Sequence, residues 1–588
     1  MSHYTTPLTH MQFILFDVLN CEQLASTEKF AEATKETFSF VMEEAAKLAE
    51  QVLLPINQIG DLDGVHYDPQ TKAVTTAAGF KEAYAIYQQG GWSGLSASPE
   101  FGGQGLPHLL KMVVDEMVCS TNLSFGMYPG LSHGAIDALT EHGSQALQDK
   151  YLHQLIAGNV TGTMCLTEPQ CGTDLALIRT KAIPDDDNSY RITGTKIWIT
   201  GGDHDLSDNI LHLVLAKLPD APNSSKGISL FLVPKLLDNN TLNHVQCGGL
   251  EHKMGIHGSA TCVMNFEDAK GWLIGSENEG LKCMFTMMNA ARLMVGTQGL
   301  GLAETAYQVS LNFAKERLQS RSLKGPVYPE QAADPIIVHA DVKRMLLRQK
   351  LFLQGSRAMA YWTAMHLDLS HAAESDKDRE YADDILQLMT PVVKAHLTDE
   401  GFFSIDQALQ SMGGSGYTKD WPVEQLLRDA RIARIYEGTN GIQALDLVGR
   451  KLIMKQGRLS SSYFKALEKL LENSSDEHQA QCLVFSDTLK STLEWLMHAA
   501  MSDPEEIGAA ATPLLRMFAL TTQAFLWAKM SSTANQQTVA QQYSDAFISS
   551  QGKCAEHYFR LYRGEVKALH DEITAGKNSI TCFTDDEF

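Results

Sequence analysis

The 588-residue sequence lacks any excess of positive charge: 48 lysines and arginines stand against 70 aspartates and glutamates, a formal net charge of −22. A protein that binds nucleic acid regardless of its sequence needs a basic surface to neutralise phosphates. The stretch 461–588 is acidic as well, with ten basic and seventeen acidic side chains. The charge therefore argues against a nucleic-acid-binding protein, and against an appendage that attaches to anionic membranes.

Long apolar runs, paired cysteines, internal repeats and low-complexity tracts are also missing. The most apolar long window, residues 293–311, contains Gln298, Glu304 and Gln308, which favours a buried helix over a membrane span. The N-terminus has no basic region followed by an apolar stretch, so we expect no secretory signal. The ten cysteines form no CxxC motif, which is typical of free thiols in a reducing compartment. These features predict a cytoplasmic protein.

Apolar periodicity changes twice along the chain. Apolar residues recur every three or four positions between residues 30 and 52, and a second helical run covers 108–121. Residues 190–200 alternate, and β-rich runs follow at 210–218 and 228–233, separated by polar turns. That spacing favours an antiparallel barrel or sandwich. Helical periodicity then returns, with candidate helices at 284–320, 335–367, 380–412, 463–471, 482–499 and 514–530, and a polar loop at 531–537.

The patterns together predict a multidomain α+β protein with four domains, because 588 residues exceed what one hydrophobic core supports. We place an N-terminal helical domain at 1–160 and a β-barrel domain at 161–275. A helical bundle domain follows at 276–457, and an additional C-terminal helical domain at 458–588.

One carboxylate lies in a short break between two helical segments. Glu437 follows the charged segment 428–434 and precedes Gly438, after which apolar spacing resumes at Ile442. Such breaks often hold functional groups, so Glu437 is a candidate base. It could equally be a first-turn glutamate favoured by the helix macrodipole.

Four segments in order resemble the acyl-CoA dehydrogenase family over about residues 30–455. They are Met-Cys-Leu-Thr-Glu-Pro-Gln-Cys-Gly-Thr-Asp at 164–174, Lys-Ile-Trp-Ile-Thr-Gly-Gly at 196–202, Met-Gly-Gly-Ser-Gly-Tyr at 412–417, and Tyr-Glu-Gly-Thr at 436–439. The resemblance implies a helical domain, a β barrel and a second helical domain, in the order that the periodicity predicts. It also implies FAD as the cofactor.

The resemblance assigns most of these residues to FAD. A reduced isoalloxazine ring needs apolar faces and hydrogen-bond donors near the negative charge at N1 and O2. The positions that match ring contacts are Met164, Leu166, Thr167, Trp198 and Thr200, although Trp198 alone could be a core aromatic. Thr173 matches a residue that contacts the flavin pyrophosphate or the phosphates of the thioester ligand.

The ADP half of FAD is bound in the family partly by a neighbouring subunit. The matching positions are Arg317, Gln410 and Gly414, with Thr439 as a further cofactor contact. The sequence departs from the family after Arg317, where Leu318-Gln319-Ser320-Arg321-Ser322 replaces the usual aromatic and glycine. Arg317 could also be a surface helix residue, and Gly413-Gly414 a simple helix stop.

The reaction that the resemblance implies is the α,β-dehydrogenation of an acyl-CoA thioester to the trans-2-enoyl-CoA. Glu437 matches the family base, and we expect burial to raise its pKa. Some members carry the base before an arginine on an earlier helix, but here Ala291 precedes Arg292. Arg292 matches the residue that orients the base, or it is a helix-surface ion pair. The remaining substrate-contact candidates are Asn289, Tyr436 and Gly438.

The last 130 or so residues and the opening segments 4–8 and 13–19 resemble a longer bacterial subgroup of the family. That subgroup includes enzymes of straight-chain fatty acid β-oxidation and of methylthiopropanoyl-CoA catabolism. The implied electron acceptor is electron-transfer flavoprotein, and we predict a homodimer whose extra domain covers the surface that smaller relatives use to form tetramers. Two alternatives stay open: an acyl-CoA oxidase that uses dioxygen, and a catalytically silent flavin-binding relative associated with DNA.

Overall fold

The computed structural model describes residues 4–472 and 474–588; in one long helix the side chains of Asn289 and Ala290 lie outside the described residues. Helices dominate the chain before residue 160 and after residue 280, and strands dominate between them. This order confirms the predicted multidomain α+β class.

The α-helices are, in chain order, α1 (Leu8–Gln12), α2 (Lys35–Lys47), α3 (Leu54–Asp63), α4 (Phe80–Gln89), α5 (His108–Thr121), α6 (Leu123–His142), α7 (Gln145–Ile156), α8 (Gly280–Glu316), α9 (Ala340–Ala372), α10 (Asp376–Met412), α11 (Val423–Ala430), α12 (Asn440–Asp446), α13 (Arg458–Leu470), α14 (Asp476–Ser502), α15 (Glu505–Ala534), α16 (Gln537–Ala540), α17 (Asp545–Thr574) and α18 (Asn578–Thr581). The strands are β1 (His66–Tyr67), β2 (Val74–Thr75), β3 (Val160–Cys165), β4 (Lys181–Pro184), β5 (Tyr190–Thr200), β6 (Asn209–Lys217), β7 (Ile228–Pro234), β8 (Val245–Leu250) and β9 (Thr261–Ile274).

Contacts divide the described chain into two compact units. The first contains the residues up to Glu43, then His108–Glu116 and Val295–Phe588. The second contains Glu44–Pro107 and Met117–Met294. The domain boundaries predicted at residues 160, 275 and 457 stay predictions.

The second unit contains a closed β barrel. Strand β6 pairs with β7, β7 with β9, β9 with β5, β5 with β4, and β4 returns to β6 through the pair Lys181 and Lys217. Strand β8 adds to the edge of β9. Leucines of β6 and β7 form one core with α6 and α7, because both strands are mostly apolar and are buried on both faces apart from the two ends of β6.

The prediction of an antiparallel sheet was wrong for two partners of β6, because β3 and β4 both pair with it in parallel, β4 through the single pair Lys181 and Lys217. Strand β3 pairs in parallel with β6, from Val160 opposite Asn209 to Cys165 opposite Val214. A parallel pair needs a long connection between its strands. Here β4 and β5 lie within that connection, so the spacing of the apolar runs could not reveal the pairing.

The first unit is helical, and three of its long helices begin at serine caps. The hydroxyls of Ser375, Ser475 and Ser544 accept hydrogen bonds from backbone N–H groups three residues ahead, at the starts of α10, α14 and α17. Helix α15 packs against α9, α10, α12, α14 and α17. It is therefore the central helix of this unit, and its Trp527 is fully buried.

The opening segment of the chain packs on the C-terminal helices of the same unit. The ring of Phe13 lies 5.5 Å from that of Tyr543 and 5.2 Å from that of Phe547. The Tyr543 hydroxyl donates to Asp17 at 2.6 Å. The two regions that mark the longer subgroup are thus packed against each other.

The C-terminal helices also correct the sequence analysis. Helices α13, α14 and α15 cover the three predicted segments, but α15 continues to Ala534, so the loop predicted at 531–537 was wrong in its first half. Ser531 and Thr533 are buried, because neighbouring helices cover this polar end of α15. Helix α17 was not predicted. Within the part of the chain that the structure describes, no helix is both long enough and apolar enough to cross a bilayer.

Candidate active site

Two of the four motif segments meet at the end of β3. Strand β3 ends at Cys165, and the next residues, Leu166 and Thr167, are half-buried. The Ile197 N–H donates to the Thr167 carbonyl at 3.0 Å. This bond joins the segment 164–174 to the segment 196–202, as the predicted flavin site requires.

A buried ion pair fixes the same junction. The Lys196 ammonium lies 2.8 Å from the Glu168 carboxylate and donates to the Leu166 carbonyl at 3.0 Å. Glu168 also accepts hydrogen bonds from the backbone of Arg179 and from the Thr180 hydroxyl. Burial alone would raise the pKa of Glu168, but Lys196 and these donors outweigh it and lower the pKa to about 2. Glu168 therefore stays ionised, while burial lowers the pKa of Lys196, and the bond between the two side chains holds Leu166 in place.

Sequence reasoning did not single out this pair, although both residues lie inside quoted motifs. A lysine in an alternating strand usually faces solvent, whereas Lys196 has no exposed surface. Its position directly before the apolar run 197–199 was the available signal.

Trp198 has an unusual backbone conformation and an exposed side chain. Its φ is +60°, a rare value for a bulky residue, and it lies where the pairing of β5 with β9 shifts register. The indole is 60% exposed. The bulge thus turns a large aromatic surface outward from the barrel wall instead of burying it as a core aromatic.

The residues of this region fit a flavin ring. Trp198 and the half-buried Leu166 offer apolar surface, and Thr167 and Thr200 are half-buried hydroxyl residues that can donate hydrogen bonds. Met164 is buried at the end of β3, and Thr173 is exposed on the loop that follows. This combination of aromatic face and hydroxyl donors suits the isoalloxazine ring and its polar edge. Its binding roles, residue by residue, stay predictions.

The residues predicted for the ADP half lie on exposed surface of the first unit. Arg317 directly follows α8, Gln410 is near the end of α10, and Gly414 follows that helix. A Cβ added to Gly414 would meet no atom of this chain within 4 Å. The fold of the single chain therefore does not require glycine there, which is compatible with close approach by another molecule.

The turn that contains Glu437 confirms the predicted break between helices. A 3₁₀ turn, Arg431–Arg434, precedes it, and α12 starts at Asn440 with Thr439 as its cap, whose hydroxyl accepts from Ile442 N–H. Glu437 is half-buried with a φ of +55°, and Gly438 has a φ of +83°. A glutamate in the left-handed region costs about 1–2 kcal/mol, so surrounding contacts must maintain it.

Side chains from three helices hold this turn. Gln443 donates to the carbonyls of Glu437 and Gly438 at 3.1 and 3.3 Å. Lys394 donates to the Gly438 carbonyl at 2.8 Å. The Tyr436 hydroxyl donates to the Gln298 side chain of α8. Sequence reasoning missed Lys394, Gln443 and Gln298; the one signal was a lysine in the apolar run 391–395.

Arg292 belongs to α8 in the second unit. Its side chain is only 6% exposed, and its guanidinium lies 5.9 Å from the centre of the Phe285 ring. The interpretation as a plain surface ion pair is therefore wrong in one respect, because the residue is buried. The side chain of Asn289 lies outside the described residues, so its predicted contact with CoA stays a prediction.

Comparisons with known proteins agree with the motifs. Family models for the N-terminal, middle and C-terminal domains of acyl-CoA dehydrogenase match residues 41–159, 163–269 and 278–453. A model described as acetyl-CoA dehydrogenase C-terminal like matches residues 463–583. These matches extend over most of the chain.

Relatives match over nearly the full length. The chain is 37% identical to a 3-methylmercaptopropionyl-CoA dehydrogenase of Ruegeria pomeroyi, covering 98% of this chain and 99% of the relative. It is 32% identical to the broad-specificity linear acyl-CoA dehydrogenase FadE5 of Mycobacterium tuberculosis, covering 88% and 84%. Among solved structures, an acyl-CoA dehydrogenase complexed with FAD from Bacillus anthracis has the same fold, with a TM-score of 0.75 at 19% identity, covering 96% and 91%. The chain belongs to the acyl-CoA dehydrogenase family of FAD-dependent oxidoreductases.

Proposed function

We propose that this enzyme converts an acyl-CoA thioester to the trans-2-enoyl-CoA, with Glu437 as the base that removes the α proton. The observation that carries the proposal is the Glu437 turn. A carboxylate is placed in a left-handed conformation, and side chains of three helices maintain it. Strained backbone of this kind is concentrated at functional sites.

Each candidate residue has a separate role in the proposed dehydrogenation. The Glu437 carboxylate takes the α proton, and its backbone N–H holds the thioester carbonyl oxygen, where negative charge develops. Arg292 orients the carboxylate. Asn289, Tyr436, Gly438 and Thr173 contact the CoA ester. When bound, FAD supplies the acceptor for the β hydrogen as hydride.

For the cofactor, we propose that Met164, Leu166, Thr167, Trp198 and Thr200 hold the flavin ring. Thr173 and Thr439 contact its phosphate and ribityl part. Arg317, Gln410 and Gly414 reach the ADP half of FAD bound in a partner subunit. An exposed arginine suits a pyrophosphate, and a glycine without neighbours permits close approach.

The substrate class is short, unbranched acyl-CoA, with or without a thioether sulfur. Support comes from the relatives whose names specify 3-methylmercaptopropionyl-CoA and butyryl-CoA. A panel of propanoyl-, butanoyl-, methylthiopropanoyl- and palmitoyl-CoA, tested by flavin bleaching, checks it. Faster bleaching by palmitoyl-CoA than by every short ester would contradict the proposal.

We propose electron-transfer flavoprotein as the acceptor, a homodimer as the assembly and the cytosol as the compartment. If oxygen is consumed at the rate of acyl-CoA turnover, dioxygen is the electron acceptor and electron-transfer flavoprotein is not. Light scattering at micromolar concentration should give twice the 64.8 kDa of one chain. A tetramer would contradict the dimer.

The substitution Glu437→Gln tests the base directly. The variant should keep its bound, yellow FAD but lose bleaching by acyl-CoA by about 10²- to 10⁴-fold, because glutamine cannot accept the α proton. Single-turnover absorbance of the flavin is the measurement. Glu472→Gln, an exposed carboxylate of the same unit, is the control and should bleach like the parent. Substantial bleaching by Glu437→Gln would exclude Glu437 as the base.

A further inference from the structure

Lys394 is a buried cation on α10 whose ammonium points to the Glu437 turn. The residue has no exposed surface. Its Nζ donates to the Gly438 carbonyl at 2.8 Å and to the Asn440 Oδ1 at 2.8 Å. Taking an ammonium out of water is costly unless strong acceptors surround it. A carbonyl and an amide oxygen of the same turn are two such acceptors.

The Asn440 side chain connects this contact back to α10. Its Nδ2 donates to the Ala395 carbonyl at 3.2 Å and to the Thr398 hydroxyl at 3.0 Å. The first residue of α12 is therefore held by one face of α10. Lys394 adds a charge-assisted bond to the Gly438 carbonyl, two residues before Asn440.

Two successive peptide planes of the turn are fixed in this way. Gln443 donates to the Glu437 carbonyl, and Lys394 donates to the Gly438 carbonyl. The torsions between these two planes are those of Gly438, and the plane that carries the Glu437 carbonyl also sets ψ of Glu437 and with it the direction of the Glu437 side chain. Because φ of Glu437 is +55° and φ of Gly438 is +83°, the turn would relax toward ordinary torsions if these bonds were lost.

We propose that Lys394 is a positioning residue for Glu437: it holds the Gly438 carbonyl and so keeps the carboxylate in the direction that proton removal needs. The inference rests on the proposed function of Glu437. Misplacing a reacting group by about 1 Å can cost about 100-fold in rate. The expected defect is therefore in the chemical step and not in the binding of substrate.

The test compares Lys394→Met with the parent holoenzyme. Rapid mixing with butanoyl-CoA at several concentrations gives the limiting rate of flavin reduction and the Kd of the thioester. We expect the limiting rate to fall about 10- to 100-fold, with Kd within threefold of the parent value. The FAD content and the circular dichroism spectrum should be unchanged.

Lys451→Met is the matched control, because Lys451 is another buried lysine of the same unit, and its Nζ contacts Gln387. It should leave the limiting rate within twofold. If Lys394→Met does not accumulate as a folded holoenzyme, Lys394→Gln decides the question, since its amide is one bond shorter and does not reach the carbonyl. It should show the same loss of rate.

Each other outcome overturns the inference. A limiting rate within twofold of the parent would show that the turn holds without Lys394. A loss confined to Kd or to FAD content would assign Lys394 to the binding pocket instead. The proposed function of Glu437 is tested by a different variant. Rapid flavin reduction by Glu437→Gln would contradict that function, whatever result the Lys394 variants give.

Discussion

Gly438 shows how much the Glu437 turn depends on single residues. Its φ of +83° is in the region that favours glycine. A Cβ at this position would lie 2.6 Å from the Gln443 Nε2, the atom that bonds the Glu437 and Gly438 carbonyls. Glycine is therefore required for both the backbone torsion and the space.

The substitution Gly438→Ala should disturb this turn in a measurable way. We expect a loss of stability of about 1–2 kcal/mol from the left-handed alanine, and slower flavin reduction because Gln443 must move. Urea unfolding and single-turnover bleaching are the measurements.

Gly441 offers a matched control three residues later. It lies in the first turn of α12, and a Cβ there would meet nothing closer than the Thr439 hydroxyl at 3.9 Å. Gly441→Ala should be neutral or stabilising, by up to about 1 kcal/mol, because alanine favours helices. Equal effects of the two substitutions would contradict the argument for Gly438.

At the scale of elements, α10 lies between the segment before the Glu437 turn and the additional C-terminal helices. Asp399 pairs with Arg434 at 2.5 Å, and the next residue, Glu400, pairs with Arg516 of α15 at 2.5 Å. Arg516 also pairs with Glu565 of α17 at 2.5 Å. Both carboxylates raise the pKa of Arg516, against the effect of its burial. Ion pairs of the C-terminal helices thus stabilise α10, the helix whose Lys394 holds the Glu437 turn.

Removing the Arg516 guanidinium should weaken the contact of α10 with α15 and α17. We expect Arg516→Met to lower the free energy of unfolding by about 1–3 kcal/mol, since two partly buried carboxylates lose a charged hydrogen-bond donor. Thermal unfolding followed by circular dichroism measures the change. Arg560→Met removes an exposed pair with Glu556 in the same unit and should cost less than about 0.5 kcal/mol. Equal losses of unfolding free energy in Arg516→Met and Arg560→Met would show that the ion pairs of Arg516 do not stabilise α10.

At the scale of the whole molecule, several histidines are buried in their neutral form. Burial is the main cause that lowers the pKa of His204, His212 and His396 to about 3 and that of His366 to about 4. Burial and the nearby Arg357 lower the pKa of His10 well below its usual range. The folded protein therefore takes up protons at these sites only in strong acid.

The buried histidines predict that the protein loses stability on acidification at pH values well above those at which carboxylates are protonated. The unfolded chain binds a proton at each histidine near pH 6.5, whereas the folded protein does not, so stability is full above about pH 6.5 and falls below it. Each buried histidine contributes a slope of about 1.4 kcal/mol per pH unit. Urea midpoints at pH 7.5, 6.0 and 5.0 should decrease in that order.

A variant separates the histidines from other groups. The Gln523 Nε2 donates to the His396 Nε2 at 3.1 Å. The variant His396→Asn should reduce the pH dependence of stability by about one bound proton. Glu168, with its lowered pKa, contributes in a separate window below about pH 4.5, where its stabilisation is lost as the carboxylate is protonated. Stability that is constant from pH 7.5 to 5.0 would contradict the prediction.

Local pattern was enough to predict most elements and the position of the candidate base. The alternation at 190–200 became β5, the helical period at 108–121 became α5, and the break around Glu437 precedes α12. These features depend on neighbours within a few residues, where spacing, propensity and glycine torsion act. The roles of Arg292, Trp198 and the residues for the ADP half came from resemblance and stay predictions.

Contacts between distant parts of the chain were not predictable in this way. The parallel pairing of β3 with β6 depends on how the barrel closes, and the burial of Ser531 depends on the helices around the end of α15. Lys394 and Gly438 are 44 residues apart, and no period relates them. The sequence by itself determined the order of the elements and the turn that carries Glu437. Only the tertiary structure decided which side chains hold that turn, because a buried charge finds its partners through packing and not through spacing along the chain.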